Sequence, residues 1–252
     1  MADITSAQSL FDLTGETALV TGASSGLGAR FAEVLSAHGA KVVLAARRLD
    51  RIEALAQRLG NAKAIALDVT KPDSYEQAFV AAGPVSLLVN NAGVANGERF
   101  IDTPPETYRK VQETNVDSVW HLSQAFAKRL IAAKQPGTII NIASIAAFQV
   151  IDSPAAYAVS KAAVQQMTRA MAFELARYKI RVNAIAPGFI YSEMTTEYLE
   201  SEAGKASLKR IPQRRAGDPS DLDGTLLLLA STRASGFMTG STVVVDGGDM
   251  LA

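Results

Sequence analysis

Seven short aliphatic runs alternate with longer amphipathic segments, and this rhythm constrains the fold more than any other feature of the chain. The runs are nearly continuous in Val, Ile, Leu and Ala, as expected for strands covered on both faces. They are Thr17–Thr21, Lys41–Ala45, Ala64–Leu67, Val85–Asn90, Thr138–Ala143, Arg181–Ile185 and Thr242–Val245. The helical patterns include Leu27–Ala37, Arg51–Leu59, Pro105–Ala133, Pro154–Arg177 and Asp218–Leu229. Because parallel neighbours need crossover connections, we predict an α/β fold: a doubly wound, mostly parallel seven-stranded sheet with helices on both faces.

Domain organisation follows from what interrupts this rhythm. No linker rich in Pro or Ser and no block of charge divides the 252 residues, so we predict one domain over residues 1–252. Residues 187–217 are polar and show only short helical patterns. They follow the carboxyl end of a predicted strand, where ligands bind in open parallel sheets, and long irregular segments are usually functional. We therefore expect residues 187–217 to form a substrate loop.

Composition excludes several classes of function. Lys plus Arg and Asp plus Glu number 25 each, so no net field attracts nucleic acid or an anionic membrane. The absence of cysteine excludes disulfides, thiolate metal sites and cysteine nucleophiles. The polar N-terminus does not resemble a signal peptide, and no aliphatic stretch approaches the ~20 residues of a membrane span. We predict a cytoplasmic protein without a metal site and without nucleic-acid or membrane partners.

A glycine-rich turn follows the first predicted strand. It reads Gly22-x3-Gly26-x-Gly28 and runs into a helix, with a wider first interval than Gly-x-Gly-x-x-Gly. Glycine allows positive φ and close approach to a pyrophosphate, and the helix start offers free N–H groups and a positive dipole end. The alternative is an ordinary βα turn without a ligand. We predict a dinucleotide-phosphate cradle made by Gly22, Ser24, Ser25, Gly26, Leu27 and Gly28.

A second motif can transfer protons. Tyr157 stands four residues before Lys161, on one face of a helix that Ser153-Pro154 is predicted to open, and Ser144 lies at the end of a strand. A free Tyr ionises near ~10, and we expect the ammonium and the helix start to lower this pKa. Ser144 can polarise a substrate oxygen. A Tyr-x3-Lys pair alone is weak, but its occurrence with the glycine turn points to an enzyme that moves hydride.

With Asn90-Asn91-Ala92-Gly93 and Pro187-Gly188, these motifs resemble the short-chain dehydrogenase/reductase family in its single-domain, Rossmann-like form. The resemblance runs from about Leu13 to Val245-Asp246-Gly247-Gly248. It implies that Tyr157 is the general acid/base, that Lys161 holds a ribose hydroxyl, that Asn115 holds a proton-relaying water, and that the 4-pro-S hydride moves. The cofactor contacts that it implies are Asp68, Val69, Asn91, Ala92, Gly93, Tyr157, Lys161, Pro187, Gly188, Ile190 and Ser192.

The residues after the second predicted strand indicate which nicotinamide cofactor, NADP(H) or NAD(H), the chain would bind. They read Ala45-Ala46-Arg47-Arg48, with no acid before Asp50. A carboxylate accepts hydrogen bonds from a 2′-hydroxyl and repels a 2′-phosphate, whereas guanidinium does the reverse. The alternative is that both arginines form a solvated helix start. We predict NADP(H) rather than NAD(H), bound through Arg47 and Arg48.

The residues after Ser144 and after Pro187 predict an apolar substrate cleft. The first segment is Ile145-Ala146-Ala147-Phe148-Gln149-Val150, and the second brings Phe189, Tyr191, Met194 and Tyr198. We expect an apolar ketone or 3-oxoacyl compound, or the matching secondary alcohol, as substrate. Acyl-carrier-protein substrates are disfavoured because Val94-Ala95-Asn96-Gly97 lacks a charged pair typical of those reductases. Two alternatives remain: a polyol or sugar dehydrogenase, and a non-catalytic NAD(P)-sensing or scaffold protein.

Small residues predict close helix packing. The Pro154–Arg177 pattern contains Ala155, Ala156, Ala158, Ala162 and Ala163. The family resemblance implies that this helix and Pro105–Ala133 pair across a two-fold axis. We therefore expect a homotetramer, although the same faces could be buried within one chain.

Overall fold

The computed structural model describes residues 6–150 and 154–251 and contains the predicted sheet. Seven strands, all parallel, lie in the order β3-β2-β1-β4-β5-β6-β7. Their bounds are β1 Thr17–Thr21, β2 Lys41–Ala46, β3 Ala62–Ala66, β4 Leu87–Asn90, β5 Gly137–Ile142, β6 Ile180–Pro187 and β7 Thr242–Val245. The predicted fold class is confirmed.

Helices cover both faces of this sheet. They are α1 Ala7–Leu10, α2 Gly26–Ala37, α3 Leu49–Leu59, α4 Tyr75–Ala82, α5 Pro105–Gln112, α6 Ser118–Ala133, α7 Ala155–Leu175, α8 Thr196–Glu200, α9 Glu202–Leu208, α10 Asp223–Ala230 and α11 Thr232–Ser235. Buried residues of α2, α3 and α10 form one apolar layer with the sheet. Those of α4, α6 and α7 form the other. Within β1, Leu19 faces the second layer while Ala18 and Val20 face the first, which explains the uninterrupted apolar runs.

Several elements differ from the prediction, most clearly among the helices. The single helix expected over Pro105–Ala133 is two helices joined by a π-helical turn, Glu113–Asp117. Helix α4 was not among the predicted patterns. The pattern Asp218–Leu229 begins as a 3-10 turn, Pro219–Leu222, because the Asp218 carboxylate caps it. No helix of the described part of the chain is long and apolar enough to cross a bilayer.

The sheet order places a cleft at the carboxyl ends of its strands. Strand β1 pairs with β2 on one side and with β4 on the other, so the strand order reverses there. Loops that leave the strands in opposite directions open a crevice at such a point. The glycine turn follows β1, and Ser144 follows β5, so both motifs reach this end of the sheet.

Candidate active site

The glycine turn has the backbone geometry that its sequence predicted. Gly22 and Gly26 adopt φ of 67° and 52°, in the left-handed region where a side chain adds strain. A Cβ at Gly28 would lie 2.4 Å from the carbonyl oxygen of Gly22. Backbone conformation therefore disfavours a side chain at Gly22 and Gly26, contact excludes one at Gly28, and α2 begins within the turn at Gly26. This arrangement fits the pyrophosphate of a dinucleotide.

Hydrogen bonds hold the turn against the loop after β4. The hydroxyl of Thr21 accepts from the backbone N–H groups of Asn91 and Ala92, each at 3.0 Å. The side-chain amide of Asn91 donates to the carbonyl oxygen of Thr21 at 2.9 Å. Thr21 was missed as a positioning residue. The available signal in the sequence was a hydroxyl residue at the end of an otherwise apolar strand.

Asn90 ties neighbouring elements together. Its side-chain amide donates to Asn141 of β5 and to the hydroxyl of Ser123 of α6, both at 2.9 Å. Asn141 in turn donates to Thr168 of α7 at 2.9 Å. This buried polar network fixes α6 and α7 against the strand ends.

The π-helical turn places Asn115 beside Lys161. Asn115 is 1% exposed, accepts from the N–H of Val94 at 2.8 Å, and donates to Ser160 at 2.9 Å. A Cβ added to Gly93 would lie 3.3 Å from Asn115 Oδ1 and 3.6 Å from Lys161 Nζ. Both side chains therefore converge on the same stretch of backbone. The wider π turn redirects this asparagine inward, a local irregularity common at functional sites.

Ser144, Tyr157 and Lys161 meet at the ends of β5 and α7. The hydroxyl of Ser144 accepts from the backbone N–H of Ala146 at 3.1 Å and lies close enough to Tyr157 to influence its pKa. Lys161 Nζ lies 5.6 Å from the centroid of the Tyr157 ring and donates to the carbonyl oxygen of Ile142 at 2.7 Å. Helix α7 begins at Ala155, with Pro154 at its N-cap, one residue later than expected. The predicted cap Ser153 lies outside the described residues.

One cleft of about 470 Å³ joins this cluster to the glycine turn. Nearly every predicted site residue lines it. Those are Gly22, Ser24, Ser25, Gly26, Leu27, Arg47, Arg48, Asp68, Val69, Asn91, Ala92, Gly93, Ser144, Tyr157, Lys161, Pro187, Gly188, Ile190 and Ser192. Gly28 and Asn115 do not line the cleft. The sequence did not predict that Thr70, Lys110, Thr114 and Glu193 also line the cleft.

Known proteins are similar to this chain over nearly its whole length. A family model described as enoyl-(acyl carrier protein) reductase matches residues 22–249. Galactitol 2-dehydrogenase (L-tagatose-forming) of Cereibacter sphaeroides is 38% identical, over 96% of this chain and 97% of its own length. The 3-oxoacyl-[acyl-carrier-protein] reductase of Vibrio cholerae is also 38% identical, over 94% and 98%. This chain belongs to the short-chain dehydrogenase/reductase family.

A solved short-chain dehydrogenase/reductase extends the comparison to structure. It is a gluconate 5-dehydrogenase from Burkholderia cenocepacia J2315, in complex with NADP and tartrate. The two structures superpose with a TM-score of 0.92 at 32% identity, over 98% of this chain and 100% of that one. The predicted family and its single-domain architecture are confirmed.

The arginines beside the cleft have different surroundings. Arg48 donates to Ser24 at 3.0 Å and to Ser25 at 2.6 Å, so it already braces the glycine turn. Arg47 has no ion-pair partner within residues 6–150 and 154–251. Burial raises the pKa of Asp68, but hydrogen bonds from Thr70 and the charge of Arg47 outweigh it, so the pKa lies below its ordinary value. Of the two guanidinium groups, that of Arg47 is the freer to meet an incoming anion.

The acidity of Tyr157 differs from the sequence-based expectation. Burial raises its pKa above the ordinary 10, and the hydrogen bond from Ser144 only partly opposes this effect. The expectation that a neighbouring ammonium would lower the pKa was wrong. The physical reason is desolvation, which disfavours phenolate more than the nearby groups favour it. At neutral pH this phenol is therefore protonated and can act as a proton donor.

Burial also makes Lys161 a poor base in the folded chain. Its side chain is 5% exposed, and desolvation lowers its pKa from 10.5 to about 8. Below pH 8 the folded chain carries a buried ammonium at a cost to stability. Between pH 8 and 10.5 the unfolded chain binds more protons than the folded one, so this cost declines as the pH rises.

We expect Lys161→Met to show this cost. The free energy of unfolding of Lys161→Met, relative to that of wild type, should fall by about 2 kcal/mol between pH 7 and pH 10. Over this range wild type is relieved of the cost of burying an ammonium, whereas the variant has no ammonium at this position. Urea unfolding at one protein concentration and both pH values measures the difference. Lys128→Met, exposed on α6, controls for removing one ammonium. A difference between Lys161→Met and wild type that does not change with pH would contradict the assignment.

The apolar substrate cleft is only partly present. Ile145 and Ala146 are buried in the protein interior, and Phe189 stacks on Tyr198 with ring centroids 5.7 Å apart. Of the predicted lining residues, Met194 alone lines the cleft described above. Phe148, Val150, Tyr191 and Met194 are exposed near the strand ends. We call these four exposed side chains the rim. The basic residues Lys209, Arg210, Arg214 and Arg215 do not line the cleft.

Proposed function

We propose that the chain is an NADP(H)-dependent carbonyl reductase and secondary-alcohol dehydrogenase. The observation that carries this proposal is a single cleft with an anion-binding glycine turn at one end and a Ser144–Tyr157–Lys161 cluster at the other. Mere cofactor sensing requires no serine and tyrosine hydroxyls side by side with a buried lysine on one cleft. This argues against the non-catalytic alternative.

The proposed mechanism assigns one task to each residue. When bound, the nicotinamide supplies hydride for the substrate carbon. Ser144 donates a hydrogen bond to the substrate oxygen and polarises the carbonyl. Tyr157 gives its proton to the same oxygen as negative charge develops there, so that the product is a neutral alcohol. The raised pKa of Tyr157 keeps this proton available at neutral pH and favours the reductive direction.

Lys161 and Asn115 restore the proton in this scheme. The buried ammonium of Lys161, with a pKa of about 8, can pass a proton towards Tyr157 near neutral pH. The amide of Asn115, fixed by Val94 and Ser160, borders the same backbone and would hold the relaying water. The lysine would also hold a ribose hydroxyl of the cofactor. In reverse, the same groups would remove a proton from an alcohol.

The cofactor assignment is supported by Arg47 and Arg48 at the far end of the cleft and by the NADP complex of the structural neighbour. Guanidinium groups bind phosphate well, and no carboxylate lies between the end of β2 and Asp50 to accept a ribose 2′-hydroxyl. Asp68 and Val69 would flank the adenine. Residues 187–217 would act as the substrate loop.

Two substrate classes compete. The exposed apolar rim supports an apolar ketone or 3-oxoacyl compound. The relative that acts on galactitol supports a polyol or ketose instead. A panel of aryl, alkyl, 3-oxoacyl and sugar ketones, assayed for NADPH and NADH consumption, separates them. We expect NADPH turnover on apolar ketones; turnover confined to sugar ketones would establish the second class. Tight NADPH binding without any turnover would favour a sensor.

We further propose a homotetramer. Large apolar side chains on α5, α6 and α7 are exposed in the single chain, among them Tyr108, Trp120 and Phe173, the last 88% exposed. Burying such residues is the usual role of a subunit interface. Size-exclusion chromatography with light scattering should give four times the chain mass of 26.6 kDa. A particle of 26.6 kDa would reject the assembly.

A further inference from the structure

Glu193 connects the loop after β6 to the opposite wall of the cleft. Its carboxylate accepts from Arg51 of α3 at 2.7 Å and from Arg48 at 3.2 Å. The same Arg48 braces Ser24 and Ser25 of the glycine turn. One carboxylate thus joins the substrate loop, the start of α3 and the phosphate turn.

The backbone around Glu193 is held close to that turn. A Cβ added to Gly26 would lie 3.5 Å from Cβ of Ser192. The hydroxyl of Thr195 donates to the carbonyl oxygen of Ile190 at 2.5 Å, which closes the loop on itself. Glu193 therefore reaches the arginines from a loop that packs against the glycine turn.

At neutral pH the carboxylate of Glu193 is negatively charged. Hydrogen bonds from Arg51, Ser25 and Arg48 lower the pKa of Glu193 below its ordinary value. It lines the same cleft as Arg47 and Arg48. A phosphate at these arginines would meet a like charge and a competitor for Arg48.

We propose that Glu193 is a specificity-determining residue that limits the preference for NADP over NAD. The inference rests on the proposed placement of the 2′-phosphate at Arg47 and Arg48. The pyrophosphate is common to NAD and NADP, so its repulsion by the carboxylate affects both cofactors equally, whereas the 2′-phosphate adds a repulsion for NADP alone. Arg51 gives Glu193 a second partner when Arg48 turns to the phosphate, so the phosphate still binds, but less tightly than it would without the carboxylate.

Glu193→Gln tests this role because it removes the charge and keeps the shape. Calorimetry should show the ratio of NADH to NADPH dissociation constants rising about 3- to 10-fold, the effect of one unit charge a few ångströms away near the surface. The affinity for adenosine 2′,5′-bisphosphate should rise by a larger factor than the affinity for ADP, which lacks the 2′-phosphate. The gain should shrink as salt is added. Any loss of loop order affects both cofactors and cancels in the ratio.

Glu53→Gln is the matched control, with the same charge change at an exposed position of α3 that does not line the cleft. Its ratio should stay at the wild-type value. An unchanged or lower ratio in Glu193→Gln, with wild type preferring NADPH, would overturn the role of Glu193 alone. A wild type that prefers NADH would overturn the cofactor assignment and this inference together.

Discussion

Replacement of Tyr157 by Phe is expected to lower turnover by about 10²- to 10⁴-fold while NADPH binding stays nearly unchanged. The substitution removes one hydroxyl, and with it the proton that would neutralise the developing alkoxide. The ring remains, so its packing beside Lys161 survives. Steady-state kinetics on the best ketone and calorimetry with NADPH measure the two effects separately.

The control for this variant is Tyr178→Phe. Tyr178 is 37% exposed after the end of α7, and its ring contacts Arg177. Losing that hydroxyl should leave turnover at the wild-type level. Retained turnover in Tyr157→Phe would refute the proposed proton donor. Loss of both turnover and NADPH binding would show damage to the cleft rather than to proton transfer.

Replacement of Arg47 by Asp is expected to raise the KM for NADPH by about 10²-fold, because a charge-assisted contact to phosphate becomes a repulsion. The KM for NADH should change little or fall, since a carboxylate after β2 can accept a ribose hydroxyl. Initial rates with both cofactors on one ketone give the comparison.

The control is Arg58→Asp, which makes the same replacement at an exposed position of α3 that does not line the cleft. Both KM values should remain near those of wild type. Equal changes for NADPH and NADH in Arg47→Asp would exclude a 2′-phosphate contact at this residue.

Features with a strong local cause could be predicted from the sequence. The seven strands follow from apolar runs that need cover on both faces, and the glycine turn follows from positions where a Cβ does not fit. Tyr157 and Lys161 lie together because four residues make about one helical turn. These features depend on neighbouring residues, which the sequence displays directly.

Features that depend on tertiary packing could not be predicted. The π turn at Asn115 arises because its amide is held by Val94 and Ser160, both distant in sequence. Glu193 and Arg48 are 145 residues apart, so no local sequence pattern could predict their contact. The raised pKa of Tyr157 reflects burial, which is a property of the folded chain. The sequence identified the chemical groups of the site but not the balance between desolvation and charge.

The central claim is that this cleft transfers hydride from NADPH to a ketone. Deuterium placed at the 4-pro-S position of NADPH tests it, with the alcohol product analysed by mass spectrometry. We predict one deuterium per product molecule on the carbinol carbon, and none when the label is 4-pro-R. Product without deuterium from the 4-pro-S label, or no product from any ketone although NADPH binds, would contradict the account.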